Sequence, residues 1–445
     1  MCAIVGVFGS AEASRVAYYS LFAMQHRGQE ATGISSSDGK KIRKVKKKGL
    51  VTEVFNEEAL KYLEGDMAIG HNRYSTAGSK SIIDAQPIYA NYKLGEISVA
   101  HNGNLTNGKE VKDMLIDEGA IFQSDMDTEN IIHLIARSHK EHLKDRIMEA
   151  LNIIKGAYCL VIQGRNKIFA IRDRYGVRPF SLGQLEDGGY IVSSETCAFD
   201  LVGAKFIRDV RPGEMIVFDK EKEGYESIQL FEPDSRICAF EYIYFARPDS
   251  VIDGKSVYEV RKEMGRAMAR EKHIDADLVI PVPDSGVSAA LGYANQSGIP
   301  FEMGIVRNHY VGRTFIEPTQ ARRDMKVKLK LSPISYLLKD KKIVVIDDSL
   351  VRGTTAKRII RILKDAGAKE VHMCITSPTI EHPCKYGIDT PSYEELISAN
   401  MSIEEIRRYI EADSLSFLSI KSLVKSIGDE RKYSLVSFDG NYFIK

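Results

Sequence analysis

The sequence predicts an α/β protein of two domains, because the rhythm of its apolar segments changes near the middle of the chain. Up to about residue 231, short apolar runs at 97–101, 158–163, 168–172, 190–193 and 214–218 are punctuated by glycine and read as packed sheets with helices outside. From about residue 254, helical and strand patterns alternate, and such alternation predicts a parallel sheet with helices on its faces. A chain of 445 residues has room for two or three domains of about 100 to 200 residues.

Taken in order, residues 1–9 are apolar, carry no basic leader and run into Glu12 and Arg15, so they are expected as a first strand and not a secretory signal. Residues 14–25 and 127–139 are expected as helices covering a sheet face; in the second, Ile131, Ile132, Leu134 and Ile135 recur at helical spacing. The second half reads as helix 257–272, strand 278–282, helix 288–296, strand 343–346, helix 355–366 and strand 371–375. Capping-box patterns at Ser392 with Glu395 and Ser402 with Glu405, then a helical segment at 419–427, make the tail a helical extension. The expected organisation is 2–231, a linker 232–253, 254–390 and an extension 391–445.

Composition narrows the function. Sixty-two basic residues against 61 acidic ones leave a net charge of +1, which gives the whole chain no attraction for nucleic acid or anionic membrane. The basic run 40–48, seven cations in nine residues, is expected as solvated surface. No apolar run approaches the roughly 20 residues of a membrane span. Six cysteines without a Cys-x-x-Cys pair argue against disulfides or zinc, and a reducing cytoplasm is the expected location.

Cys2 is the most informative residue. Removal of Met1 leaves one residue bearing a thiol and a free α-amine, whose pKa near about 8 suits it to take the thiol proton. Alone, Cys2 reads as a small buried strand residue. It is accompanied by His26-Arg27-Gly28-Gln29-Glu30, by 70–78 with Arg73 and Thr76, by His101-Asn102-Gly103-Asn104 and by 124–129 with Asp127. Taken singly, Asn102-Gly103 is a turn and Arg73 a surface charge; together these segments resemble the class II glutamine amidotransferases, N-terminal-nucleophile hydrolases. The resemblance implies an αββα sandwich, Cys2 as nucleophile, Asn102 and Gly103 as oxyanion hole, and Arg73, Thr76 and Asp127 as glutamine ligands.

In the second half an apolar strand meets Asp347, Asp348, Ser349, Arg352, Gly353, Thr354 and Thr355 before a helix. Amides entering a helix hold phosphate, and acids at a strand end lie over whatever the loop binds. These residues resemble the signature of type I phosphoribosyltransferases, which implies that they bind phosphoribosyl pyrophosphate (PRPP). Ser285, in Pro283-Asp284-Ser285-Gly286, matches a position contributing to Mg²⁺ with Asp347 and Asp348, and Arg307, Tyr310 and Arg313 match the family's flexible loop.

Both halves together resemble the glutamine PRPP amidotransferases. That implies conversion of PRPP, glutamine and water to 5-phosphoribosylamine, glutamate and pyrophosphate, Mg²⁺ as cofactor, a homotetramer and inhibition by purine nucleotides, with no nucleic-acid or membrane partner. Some relatives hold an iron–sulfur cluster on four cysteines behind a propeptide. Here Cys238 and Cys384 match two ligands, Ser434 and Ser437 replace the others, and Cys2 follows Met1, so a cluster-free enzyme is expected. Alternatives are another class II amidotransferase such as glucosamine-6-phosphate synthase, a PRPP-sensing repressor, or a scaffold without activity. The first lacks the Asp-Asp loop in its sugar half, and the second leaves Cys2 and Asn102 unexplained.

Overall fold

The computed structural model describes residues 1–74, 81–308, 331–390, 392–428 and 432–444. In the first half two antiparallel sheets lie face to face. One has the order Lys205–Asp209, Ser181–Gln184, Tyr190–Ser193, Ala3–Phe8, Met67–Arg73, Ala31–Ser37, Ile42–Lys48. The other runs Glu226–Gln229, Glu214–Asp219, Lys167–Arg172, Gly156–Gln163, Gly95–Leu105, Ile88–Tyr92.

Alternation along the strands sends Ile4, Phe8 and Ile69 from the first sheet against Val161, Ala170 and Phe218 from the second. Each such side chain contributes about 1.5–3 kcal/mol on burial. Helix Ala13–Ala23 covers the outer face of the first sheet through Ala17 and Leu21. Helices Gly108–Asp117, Asp127–Arg137 and Leu143–Leu151 cover the second. Four layers result, as the resemblance implied. Ala3–Phe8 is paired on both edges and buried along its whole length, so it delivers Cys2 to the seam between the sheets. The basic run forms the edge strand Ile42–Lys48, where lysines discourage pairing with another chain.

The second half has a parallel sheet of order Leu278–Pro281, Lys342–Asp347, Glu370–Ile375, Ser414–Phe417. Val344 and Ile346 face one core and Ile343 and Val345 the other, so continuous apolar sequence here means burial on both faces. Helices Val257–Glu271 and Val287–Ser297 pack on one side with their backbones nearly touching: a Cβ on Gly265 would stand 1.8 Å from Ala289 O. Helices Thr354–Asp365 and Ile403–Ile410 pack on the other.

Two segments differ from their sequence expectation. The tail supplies strands as well as helices: Ser414–Phe417 closes the parallel sheet, and Tyr433–Ser434 pairs with Ile237–Cys238. Of the two capping boxes, Ser402 and Glu405 form theirs, while Ser392 precedes a three-residue turn, Tyr393–Glu395, without a side-chain cap. Within 232–253, expected as a linker, Ile237, Phe240, Tyr242 and Ile243 are buried in the second-half core. These short pieces have no period of their own, and only partners distant in sequence reveal them.

Candidate functional site

Cys2 stands half-buried at the start of the central strand. Its backbone nitrogen donates to Asn102 Oδ1 at 3.3 Å, its Sγ to Tyr74 O at 3.6 Å, and its carbonyl accepts from Arg27 Nε at 3.0 Å. Asn102 and Gly103 sit on Gly95–Leu105, opposite Cys159 and Tyr158 of the neighbouring strand. That close pairing is why residue 103 is glycine: φ is +156°, and a Cβ would stand 1.9 Å from Ala157 O. Asn102 Nδ2 is buried and has no hydrogen-bond partner among the described residues.

Cys2, Arg73, Tyr74, Gly103 and Asp127 line one cavity. Arg73 ends the strand Met67–Arg73, is 3 % exposed, and lies 3.6 Å from Asp84 Oδ2. Asp127 opens a helix, accepts from Leu105 N at 2.9 Å and approaches His101 Nδ1 at 3.4 Å. Burial opposes its charge, yet His101 and the two backbone amides hold its pKa below the ordinary value, so the cavity offers a fixed carboxylate beside a fixed guanidinium. Thr76 lies outside the described residues.

Gln86 lines the same cavity, and sequence reasoning did not single it out. It accepts from His101 N at 2.7 Å and donates to Thr128 Oγ1 at 3.1 Å, tying the Asn102 strand to the Asp127 helix. No motif or spacing marks it.

In the second half Asp347 ends its strand, accepting from Asp348 N at 2.9 Å, while Asp348 Oδ1 accepts from Ser349 Oγ at 2.5 Å. Burial first, and the charge of Asp348 second, push the Asp347 carboxyl well above its ordinary range. Thr354 and Thr355 open the following helix and are exposed at its N-terminus, just after Gly353. Arg352 is engaged by Glu395, Nε to Oε2 at 2.6 Å.

Pro281 pairs with Ile346 and a Cβ on Gly286 would stand 2.4 Å from Ile346 O, so the turn carrying half-buried Ser285 lies against the end of the strand that leads to the two acids. Arg307 ends the strand Ile305–Arg307 and forms an ion pair with Asp284 of that turn. Tyr310 and Arg313 lie outside the described residues. Among the described residues no three His, Cys, Asp or Glu side chains converge on a point where a metal ion would sit. No described helix is long and apolar enough to cross a membrane.

Comparison with known proteins finds both halves. Residues 71–200 match the glutamine amidotransferase domain, and residues 259–399 the phosphoribosyl transferase domain. The chain is 50 % identical over 449 residues to the chloroplastic amidophosphoribosyltransferase 1 of Arabidopsis thaliana, covering 100 % of this chain and 79 % of that protein. It is 47 % identical over 449 residues to the amidophosphoribosyltransferase of Bacillus subtilis (strain 168), covering 99 % and 94 %.

The solved structure of the B. subtilis glutamine PRPP amidotransferase complexed with ADP and GMP matches with a TM-score of 0.94 at 46 % identity, covering 100 % of this chain and 98 % of that one. The match runs through both halves in the same order and joins a thiol cavity to an acidic strand-end loop in one chain. The chain therefore belongs to the amidophosphoribosyltransferase family, the glutamine PRPP amidotransferases of purine biosynthesis.

Proposed function

We propose that the glutamine half works through Cys2 once Met1 is removed, and that the freed ammonia passes within the protein to PRPP. The supporting observation is the amide of Asn102: its oxygen is taken by the Cys2 nitrogen, while its buried Nδ2 has no partner among the described residues. A buried donor without an acceptor costs free energy, and a developing oxyanion would relieve it. With Met1 gone, the nitrogen now 3.3 Å from Asn102 Oδ1 becomes the α-amine that takes the thiol proton.

The thiolate attacks the glutamine amide carbon, and Asn102 Nδ2 and Gly103 N–H hold the tetrahedral oxyanion. The amine returns the proton to the departing ammonia, leaving a glutamyl thioester that water hydrolyses to glutamate. Arg73 takes the α-carboxylate, with the bidentate geometry an arginine fork allows, and Asp127 the α-ammonium; Thr76 is assigned as a third glutamine ligand from the family resemblance.

At the second site Asp347 and Asp348 orient the ribose hydroxyls, and Ser349, Arg352, Gly353, Thr354 and Thr355 surround the 5-phosphate at the helix N-terminus. Arg352 must leave Glu395 to do so. The residues present fit Mg²⁺, which takes one or two carboxylates and completes its octahedron with substrate phosphate oxygens. Asp347 and Asp348, with Ser285, would hold it; burial and the Asp348 neighbour disfavour the charged form of Asp347, which a cation would restore. When bound, the ion neutralises the departing pyrophosphate. Arg307, Tyr310 and Arg313 are assigned, from the family resemblance, the role of excluding water, which competes with ammonia.

An iron–sulfur cluster does not fit. Cys238 faces Ser434 across a two-residue parallel bridge, Ser437 Oγ is buried without a partner among the described residues, and burial pushes the Cys238 thiol up to about 12. Two thiols and two hydroxyls do not replace four thiolates. Iron and acid-labile sulfide at about one cluster per chain in anaerobically purified protein would overturn this.

Inhibition by purine nucleotides at or beside the PRPP site is supported by the ADP and GMP held by the B. subtilis relative. A homotetramer and a cytoplasmic location complete the proposal. The test is glutamate release from glutamine with and without PRPP and Mg²⁺. Release that rises with PRPP is expected; no release removes the role of Cys2, and release indifferent to PRPP removes the coupling of the halves.

A further inference from the structure

We propose that Glu241 is a positioning residue that couples the Cys2 nucleophile to the phosphoribosyl half. This rests on the reading of Cys2 and of the phosphoribosyl site given above; what it adds is a physical connection between the two halves. Arg27, from the turn Gln25–Arg27, holds the Cys2 carbonyl through Nε. Its outer nitrogens meet Glu241 as a fork, Nη1 to Oε2 at 2.9 Å and Nη2 to Oε1 at 3.0 Å, and Nη1 also reaches Glu195 Oε1 at 2.5 Å. Arg178 Nη1, 3.5 Å from Glu241 Oε1, brings a second cation to the two carboxylates.

Glu241 opens a short π-helical turn, Glu241–Phe245, a geometry that recurs at functional positions. The other side of that turn is gripped from the phosphoribosyl half. Arg261, on the helix Val257–Glu271, donates Nε to Tyr242 O at 2.7 Å and Nη2 to Ala246 O at 2.8 Å. The helix that carries Arg261 in turn packs backbone to backbone on Val287–Ser297, which begins just after the Ser285 turn of the phosphoribosyl site: a Cβ on Gly265 would stand 1.8 Å from Ala289 O. Arg27, Glu241 and Arg261 are 2 %, 0 % and 4 % exposed, so little solvent reaches this path.

Paired charges in such surroundings move together, because separating them strands an uncompensated ion. PRPP bound at the Ser285 turn shifts Val287–Ser297 and the helix packed on it, the hold of Arg261 on the turn Glu241–Phe245 changes, and Glu241 carries the change through Arg27 to the Cys2 backbone. None of the chemistry derived for either site uses Arg27, Glu241 or Arg261.

The test uses the full-length enzyme and compares glutamate release with and without PRPP and Mg²⁺, alongside synthesis from ammonia. In Glu241→Gln, which keeps the shape and removes the charge, PRPP stimulation of glutamate release falls about tenfold while ammonia-dependent synthesis stays within about twofold. Glu241→Asp restores part of the stimulation. Unchanged stimulation in Glu241→Gln overturns the proposal, and so does an equal fall in both activities, which is what a folding defect produces. If Glu241→Gln does not accumulate, Arg261→Lys decides: reduced stimulation supports the proposal and full stimulation overturns it. A wild-type enzyme indifferent to PRPP removes the coupled-halves reading itself, whereas a stimulated wild type with a stimulated Glu241→Gln overturns this inference alone.

Discussion

The two sites are built on opposite physical plans. The thiol site sits in a seam between two sheets, where antiparallel ladders hold Cys2, Asn102 and Gly103 and where Arg73 lies beside Asp84 and Asp127 beside His101. The phosphoribosyl site is a pair of acids at a strand end, with the Asp347 carboxyl raised by burial and by its neighbour. One site has a polar partner for each ionisable ligand before substrate arrives; the other sets two carboxyls side by side, where burial and the neighbour disfavour the charged form of Asp347. Attack by a thiol demands that nucleophile, oxyanion donors and amide stand within tenths of an ångström, which favours a rigid seam. A highly charged substrate brings its own counter-ions, which favours an open loop.

Substitutions separate the two plans, beginning with the largest effect. Cys2→Ala removes glutamine-dependent synthesis by about a thousandfold or more and leaves ammonia-dependent synthesis within about twofold, read as pyrophosphate release with each nitrogen source. Loss of both activities would show that the seam and the loop are not separable. Asn102→Ala lowers kcat for glutamate release by about 10²–10³-fold with a small change in KM, because its donor acts on the transition state.

Asp347→Asn combined with Asp348→Asn lowers both synthetic activities by about a hundredfold while basal glutamate release survives, since the acids serve only the loop. If basal release falls equally, the comparison fails on that side. Gly103→Ala is expected to prevent folding of the first half, given the 1.9 Å approach to Ala157 O, and a loss of cooperative thermal unfolding would record it.

The smallest effects come from pH, and their signs differ between the sites. The Asp127 carboxyl is held below its ordinary 3.8, so the stability it contributes is complete above that value and fades as pH falls through the folded pKa. The Asp347 carboxyl is held above 3.8, so its contribution is complete below that value and is lost as pH rises through the folded pKa. Asp127→Asn should lower Tm at neutral pH, by less as the solution is acidified. Asp347→Asn should raise Tm at neutral pH, and the gain should vanish at acid pH. The same sign for both variants would mean that the electrostatic contrast is absent.

Much of this was legible in the residues. The strands at 158–163, 190–193 and 343–346 and the helices at 257–272 and 355–366 lie where apolar periodicity puts them, to within a residue or two at their ends, because each element buries a face that its own sequence marks. Asn102-Gly103 and Asp347-Asp348 could be singled out as candidates only by the company they keep: alone the first is a turn, and the second gains its meaning from the loop and helix that follow it. What sequence left hidden is what depends on distant partners. Gln86 is an ordinary residue until His101 and Thr128 close around it. Residues 237–246 read as connector until the core of the second half encloses them, and 414–417 reads as part of a helical tail until the edge of Glu370–Ile375 offers it a ladder.

The amino-acid order by itself determined the two halves, their sheet types and the chemical groups each site possesses, since periodicity and residue type are properties of short stretches. The tertiary structure alone decided that Arg27 of the first half and Glu241 of the second share one buried ion pair behind Cys2. Their separation of 214 residues leaves no local trace, and only chain folding that brings both into a medium of low polarity makes the pairing necessary.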